Sequence, residues 1–160
     1  IRTSDIYNNQ VDLIPDFFCD KNFKKLQNNK FDKYDLIINN DGKVGIPSIL
    51  TNTDYVFQSH IRSLKIKNKS DISQFYIFGC LLSEFIGEVQ FKKNTVIQST
   101  IPTLANRIKQ FEIPLSDKKF HDFISKKVKQ SFDLLSKKKT LTEKIIKYID
   151  EEINFKNIYN

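Results

Sequence analysis

The sequence predicts an α+β fold: a domain built on a mixed β-sheet, followed by a long C-terminal helix that pairs as a coiled coil. Short apolar runs separated by turn residues occupy the first two thirds of the chain, and such runs are typical of strands. Residues 118–153 contain neither Gly nor Pro, and their apolar residues recur at steps of three and four, the period of an amphipathic helix. We therefore expect a domain over residues 1–115 and a helical arm over residues 116–160.

The composition is that of a folded, mildly basic protein. Of the 160 residues, 39% are hydrophobic and only four are Gly and four Pro, which excludes collagen-like and low-complexity chains and argues against disorder throughout. Lys and Arg number 26 against 19 Asp and Glu, an excess of seven that is spread over the chain and is compatible with a polyanionic partner. The longest apolar cluster, residues 75–86, is shorter than the roughly 20 residues that cross a bilayer, so we expect no membrane span.

The cysteines and histidines predict neither a disulfide nor a metal site. Cys19 and Cys80 are far apart in the sequence and belong to no Cys-x-x-Cys pair, and His60 and His121 are equally isolated. Unpaired thiols are typical of a reducing compartment, so we expect a cytoplasmic protein with reduced cysteines.

The middle of the domain predicts a β-hairpin and further strands. Residues 34–39 form an apolar run typical of a strand, and the Asp-Gly pair at positions 41–42 is a strong hairpin signal. We expect the returning strand at residues 44–46, and two further strands at residues 55–57 and 61–66.

A helix is expected after these strands. Asp71 is a candidate N-cap, the apolar residues after it recur at steps of three and four, and Gly87 is a candidate end. Residues 89–93 then have the pattern of a short strand or loop.

The arm is longer than the body of a small domain requires. A helix of about 34 residues is about 50 Å long, so it has to pack along another long helix, in a second copy or in a partner. Asp117 is a candidate cap, and the Lys triplet at residues 137–139 is either a solvated patch or a break between two shorter helices. We assign to the partner-facing stripe Phe120, Ile124, Val128, Phe132, Leu135, Leu141, Ile145 and Ile149.

Motifs along the whole chain resemble one protein family. The opening at residues 1–6 and the apolar run at residues 35–38, with the Asp-Gly-Lys-Val-Gly after it, match its first motifs. The Ile-Pro-Thr-Leu at residues 101–104 and the Phe-Glu-Ile-Pro-Leu at residues 111–115 match its last. In order and spacing they resemble the target-recognition domains in the DNA specificity subunits of type I restriction–modification systems.

The resemblance implies a non-catalytic function. Domains of that family read bases in duplex DNA, and their long helices pair as a coiled coil that separates two recognition domains and docks the methyltransferase (M) subunits, with the restriction (R) subunit as a further partner. The family commonly has a Pro-Pro step where this chain has residues 116–121, and a full specificity subunit resembles two such units in tandem. The resemblance therefore implies a specificity subunit, or a half or fragment of one.

The residues agree with a chain that carries no catalytic centre and no cofactor. Adenine methylation requires an Asn/Asp-Pro-Pro-aromatic motif around the flipped base, whereas Pro15, Pro47, Pro102 and Pro114 all stand alone. A phosphate-binding Walker loop is also missing from the sequence.

Two alternatives stay open from the residues. Asp16 with Asp41 and Lys43 resembles the pattern of metal-dependent nucleases, in which two carboxylates hold Mg²⁺ and a Lys supports the attacking water. That pattern requires the acid and the Lys on one face of a strand, whereas here they flank a Gly in a turn signal. The other alternative is an assembly scaffold whose long helix binds other proteins.

DNA contacts are expected from basic and polar residues in loops, because Arg or Lys reads guanine, Asn or Gln reads adenine, and other polar groups fix phosphates. Some candidates also have a purely structural interpretation: Lys92 and Lys93 as a solvated turn, residues 40–42 as turn chemistry, and His60 as a strand histidine. We assign DNA contact to Arg2, Ser4, Asn39, Asn40, Lys43, Ser59, His60, Arg62, Lys92, Lys93, Gln98, Ser99 and Thr100.

Overall fold

The fold is built around one short strand, β3, whose four side chains are all buried. A computed structural model describes residues 1–12, 17–20, 22, 31–66, 72–98 and 100–152. The strands are β1 (Ile6–Tyr7), β2 (Gln10–Val11), β3 (Leu36–Asn39), β4 (Pro47–Ile49), β5 (Ile61–Leu64), β6 (Val96–Gln98) and β7 (Ile101–Thr103). The helices are α1 (Gln74–Leu82), α2 (Val89–Asn94) and α3 (Lys118–Glu152).

β3 is the central strand of a three-stranded sheet with the order β4-β3-β5. Its Ile37 lies opposite Ser48 on β4 and Ser63 on β5, and both neighbours run antiparallel to it. β1 with β2, and β6 with β7, form two-stranded antiparallel ribbons. All strand pairs among the described residues are antiparallel, so the prediction of a mixed sheet is wrong, whereas the α+β class and the long C-terminal helix are confirmed.

Apolar clusters cover both faces of the sheet. Leu36 and Ile38 belong to the cluster on the face where the helices pack. Ile37 belongs to the cluster on the other face, together with Ile6 and Phe57. A strand buried on both faces appears in the sequence as a continuous apolar run, which is why a strand was predictable here.

The connection between β3 and β4 is longer than the predicted hairpin turn. The returning strand is Pro47–Ile49, so its prediction at residues 44–46 is wrong. Gly42 and Gly45 have φ angles of +75° and +87°, a left-handed backbone that a regular strand does not contain. The residues up to Gly45 therefore form a loop, and Gly45 lies against the ring of Phe91.

Two other strand predictions need correction. β5 ends at Leu64 and not at residue 66. Residues 55–57 form no strand, because the chain there bonds to the N-terminus: the Ile1 ammonium donates to the Val56 carbonyl at 2.5 Å, and the Gln58 N–H donates to the Ile1 carbonyl at 3.0 Å.

The helix after the sheet begins near the predicted position but ends early. Its N-cap is Ser73, whose hydroxyl accepts the N–H of Phe75 at 3.1 Å; the predicted cap, Asp71, lies outside the described residues. The predicted end, Gly87, lies in a π-helical turn that joins α1 to α2. Because helical backbone continues through that turn, residues 89–93 belong to α2, and the prediction of a strand or loop there is wrong.

The long arm helix is one continuous element. α3 has 35 residues and is therefore about 52 Å long. Asp117 caps it as predicted, since its carboxylate accepts the N–H groups of Lys119 and Phe120 at 3.0 and 3.1 Å. The helix runs through residues 137–139 without a break. Within the described part of the chain, no helix combines the length and apolar character needed to cross a membrane.

α3 packs across α1 at a close approach centred on Gly79. The Phe132 ring is buried at 5.1 Å from the ring of Phe78, at an interplanar angle of 80°. A Cβ atom at position 79 would lie 2.8 Å from the Ile124 Cγ2 and 3.7 Å from the Val128 Cγ2. The two helices approach this closely because position 79 has no side chain.

The close approach predicts the sign of a Gly79→Ala change. Alone, it should lower the free energy of unfolding by about 1–2 kcal/mol, because the stiff, β-branched Ile124 cannot easily move away from the new methyl group. In an Ile124→Ala background the same change should raise it by up to about 1 kcal/mol, the ordinary helix-propensity gain. Urea unfolding of the wild type, the two single variants and the double variant measures both free-energy changes. If Gly79→Ala lowered the free energy of unfolding equally in both backgrounds, the contact between Gly79 and Ile124 would be contradicted.

Candidate nucleic-acid interface

Several segments predicted to contact DNA meet at one end of the three-stranded sheet. The Asn40 N–H donates to the His60 carbonyl at 2.9 Å, which ties the end of β3 to the start of β5. The Leu104 N–H donates to the Asn40 carbonyl, and the Gly42 N–H donates to the Pro102 carbonyl, each at 2.9 Å. The β6–β7 hairpin therefore lies beside the same end of the sheet.

The N-terminal residues and α2 border the same surface. The Asn39 amide donates to the Thr3 carbonyl at 3.0 Å, and the Thr3 N–H donates to the Gln58 side chain at 3.4 Å. α2 is adjacent because its Phe91 contacts the loop after β3 at Gly45. We call this surface the loop edge; it comprises residues 1–4, 39–45, 58–62, 91–93 and 100–103.

The Asp41 carboxylate organises the loop edge. Its Oδ1 accepts from the Asn40 amide at 2.8 Å and from the Thr103 hydroxyl, and its Oδ2 lies 2.7 Å from the His60 Nδ1. Burial works to raise the pKa of Asp41, but hydrogen bonds from Thr103, His60 and Asn40 outweigh it and hold that pKa below its usual value. Asp41 is therefore an ionised group that joins three segments of the chain.

Arg2 and Ser4 hold the N-terminal turn together. The Arg2 guanidinium lies 2.8 Å from the Asp5 Oδ1 and stacks 3.9 Å from the centre of the Phe17 ring. The Ser4 hydroxyl lies 3.1 Å from the same Oδ1. Both side chains thus satisfy the buried Asp5 carboxylate, a structural role that the prediction of DNA contact did not include.

Asn39 and Asn40 are buried, which corrects their assignment as DNA contacts. Asn39 is 0% exposed and Asn40 is 4% exposed. Asn39 is the last residue of β3, and its amide donates to the Thr3 carbonyl. Asn40 directs its amide to Asp41 and Thr103. Neither side chain is accessible to DNA in this structure.

Other predicted contacts are accessible at the loop edge. Arg62 is half-buried and donates to the Ala105 carbonyl at 3.1 Å, while Lys92 is exposed and forms an ion pair with Glu88 at 2.5 Å. Ser99 lies outside the described residues, and of Gln98 only its position on β6 is described. Besides Lys92, the exposed candidates are Lys43, Ser59, His60, Lys93 and Thr100.

Sequence reasoning missed the residues that assemble this surface. Thr103 and Thr3 enter the sequence argument only as members of motifs, and Gln58 does not enter it. Thr103 and Asp41 are 62 positions apart in the sequence. Only the strand register could have brought them together.

The residues of the nuclease alternative are not gathered into a metal site. Asp16 lies outside the described residues, and Lys43 is exposed in the loop after Asp41. Both oxygens of Asp41 already accept hydrogen bonds from the protein. Across the described ranges, no group of three or more His, Cys, Asp or Glu could hold a metal ion.

The structure divides the predicted partner-facing stripe of α3 into two parts. The assignment of the first part to a partner needs correction, because Ile124 lies at Gly79 and three more residues pack into this chain's own core, namely Val128, Phe132 and Leu135. The second part is exposed and comprises Leu141, Ile145 and Ile149; Phe120, in the first turn, is exposed as well.

Comparison with known protein families and with curated protein sequences finds no match to this chain.

The Asp5 carboxylate predicts how stability depends on pH. Burial favours its neutral form, but hydrogen bonds from Arg2 and Ser4 outweigh this and hold the pKa of Asp5 below its usual value of 3.8. Its contribution is therefore complete above pH 3.8 and is lost as the pH falls through the lower, folded-state pKa.

Asp5→Asn should accordingly lower the free energy of unfolding by about 1–3 kcal/mol at neutral pH, and the difference from the wild type should shrink in acid. Urea unfolding across the pH range measures it, with Asp150→Asn on the exposed arm as the matched control. A deficit that persists unchanged in acid would contradict the ionic role of Asp5.

Proposed function

We propose that this chain recognises duplex DNA as the specificity subunit, or a half or fragment of one, of a type I restriction–modification system, and that it directs catalytic partners without catalysis of its own. The observation that supports this most is the convergence of the N-terminal turn, the loop after β3, the start of β5, α2 and the β6–β7 hairpin at the loop edge. Five separate segments form one surface, which offers contacts to several adjacent nucleotides.

The charges at the loop edge favour a polyanion. Lys43 and Lys93 are exposed cations there, and His60 is an exposed group that can become one. The Asp41 carboxylate accepts hydrogen bonds from groups of the protein, so it is directed inward. Together with the net charge of +7, this arrangement suits contact with phosphates.

The attachment of the arm suits a spacer of fixed direction. Besides the contacts at Gly79, the Tyr34 hydroxyl donates to the Asp133 carboxylate at 2.7 Å, and the Lys139 ammonium donates to the Tyr55 hydroxyl. These contacts lie at separate points along α3. A helix held at several points transmits the orientation of the domain to whatever binds its far end.

The far end of α3 carries the spacing of a coiled-coil seam. Leu141, Ile145 and Tyr148 follow one another at steps of four and three, and all are more than half exposed. In the proposed function this seam pairs with a second long helix and sets the distance between two recognition domains. Methyltransferase (M) and restriction (R) subunits would dock on that paired helix.

Duplex DNA binding is the first test. The chain should bind a pool of random-sequence duplexes with an affinity that falls as salt rises. Replacing Lys43 and Lys93 together by Gln should flatten the plot of log affinity against log salt by about 1.8, since each lost phosphate contact removes about 0.9.

The matched control is the pair Lys137→Gln and Lys144→Gln, which removes the same charge from the exposed arm and should leave that slope unchanged. Fluorescence anisotropy at several salt concentrations measures both. No binding by the wild type, even with methyltransferase subunits added, would contradict the proposed function, and equal effects of the two pairs would contradict the loop edge as the interface.

Self-association through the arm is the second test. Sedimentation equilibrium should show a dimer or a longer complex, and Leu141→Lys with Ile145→Lys should shift it towards monomer because two charges would enter the apolar seam. Thr140→Lys, one residue away but off the seam, is the control. A wild type that stays monomeric at all concentrations would contradict pairing between copies, whereas an assembly that binds no DNA would favour the scaffold alternative.

A further inference from the structure

The hydrogen bond between His60 and Asp41 gives the loop edge a group of defined hydrogen-bonding direction. The His60 Nδ1 lies 2.7 Å from the Asp41 Oδ2, while the imidazole is 56% exposed and the carboxylate only 24%. One ring nitrogen therefore faces the protein and the rest of the ring faces solvent. The inference drawn from this pair rests on the proposed function.

Asp41 holds a fixed position beneath the ring. Its other oxygen is occupied by Asn40 and Thr103, and its backbone forms an antiparallel bridge to Thr103. The residues on either side are fixed as well, because Asn40 bonds to the His60 backbone and Gly42 bonds to Pro102. The carboxylate thus cannot turn away from His60 without also breaking its contacts to Asn40 and Thr103.

The ionisation of Asp41 determines which His60 nitrogen carries a proton. An ionised carboxylate can only accept hydrogen bonds, so the Nδ1 that faces it carries its hydrogen in both charge states of the imidazole. The Nε2 then accepts a hydrogen bond when the ring is neutral and donates one when the ring is protonated. Among the described residues, no hydrogen bond to Nε2 occupies that position.

We propose that His60 is a phosphate contact of the DNA interface that forms on protonation, and that Asp41 is the residue that positions it. The protonated Nε2–H donates to a phosphate oxygen and adds one positive charge to the surface. The charged group in contact with the ring is Asp41, from the loop after β3. Elsewhere on the loop edge, charges belong to Arg62, which is bonded to the Ala105 carbonyl, to Lys43, Lys92 and Lys93, to Arg2, which pairs with Asp5, and to the Ile1 ammonium, which donates to the Val56 carbonyl.

The proposal predicts a specific link between pH and DNA affinity. Histidine changes charge between about pH 5 and 8, whereas the pKa of Asp41 is held below its usual value, so the carboxylate stays ionised there. Between about pH 8 and about pH 5.5 the wild-type chain should bind a random-sequence duplex pool about tenfold more tightly. Its salt slope should become steeper by about 0.9, which corresponds to one more phosphate contact.

Three variants test the assignment. His60→Gln should abolish both pH effects. His121→Gln should keep both effects, because His121, the other histidine of the chain, accepts the Ser73 N–H between α1 and α3. Asp41→Asn should weaken both effects, because a neutral amide can donate as well as accept and no longer fixes which nitrogen of His60 faces solvent.

The outcomes separate this inference from the proposed function. If the wild type binds DNA but its affinity does not depend on pH, the inference is wrong and DNA binding stands. The same holds if the affinity of His60→Gln depends on pH as that of the wild type does. If the wild type binds no duplex at either pH, the proposed function fails and the inference fails with it. Thermal unfolding establishes that each variant is folded. If Asp41→Asn does not fold, the comparison of His60→Gln with His121→Gln still tests the inference.

Discussion

Burial of β3 on both faces is the constraint on which the rest of the structure depends. Leu36, Ile37 and Ile38 are almost fully shielded, and burying each such side chain contributes about 1.5–3 kcal/mol relative to leaving it exposed. One face needs α1 and α3 as its cover, and the other needs the N-terminal residues. The strand therefore draws together the arm, the N-terminus and the loops at its own end, and the loop edge is located where β3 stops at Asn39.

The arm belongs to the domain at one end and extends from it at the other. Phe132 completes the core beside Phe78, and Asp133, the next residue, bonds to Tyr34. Lys139 bonds to Tyr55, and beyond it the large apolar side chains Leu141, Ile145 and Ile149 are exposed. Because the same helix supplies core residues and an exposed seam, it cannot swing about its base without losing core contacts, and this stiffness makes it suitable as a spacer.

The sequence predicted the features that local signals encode. β3 follows from its continuous apolar run, the long C-terminal helix from its apolar periodicity, and the Asp117 cap from its residue type. The sequence left open whether that helix breaks at residues 137–139. The position of β4 was not predictable in this way, because Gly42 and Gly45 permit several loop geometries and packing selects one. The same limit applies to the loop edge, since its segments meet through strand register and through contacts across more than 60 positions, such as Asp41 with Thr103.

Polar residue type alone could not separate the residues that build the loop edge from those that face outward. Asn and Arg read bases in DNA complexes, but they also donate to carboxylates of the protein itself, as Asn40 and Arg2 do here. A one-residue change of register exchanges the buried and exposed sides of a strand, so accessibility at its end is decided by packing. His60 illustrates the combination, because its Nδ1 belongs to the internal network while more than half of the side chain is exposed. A polar loop residue acquires a defined direction towards solvent when a buried partner fixes its other end.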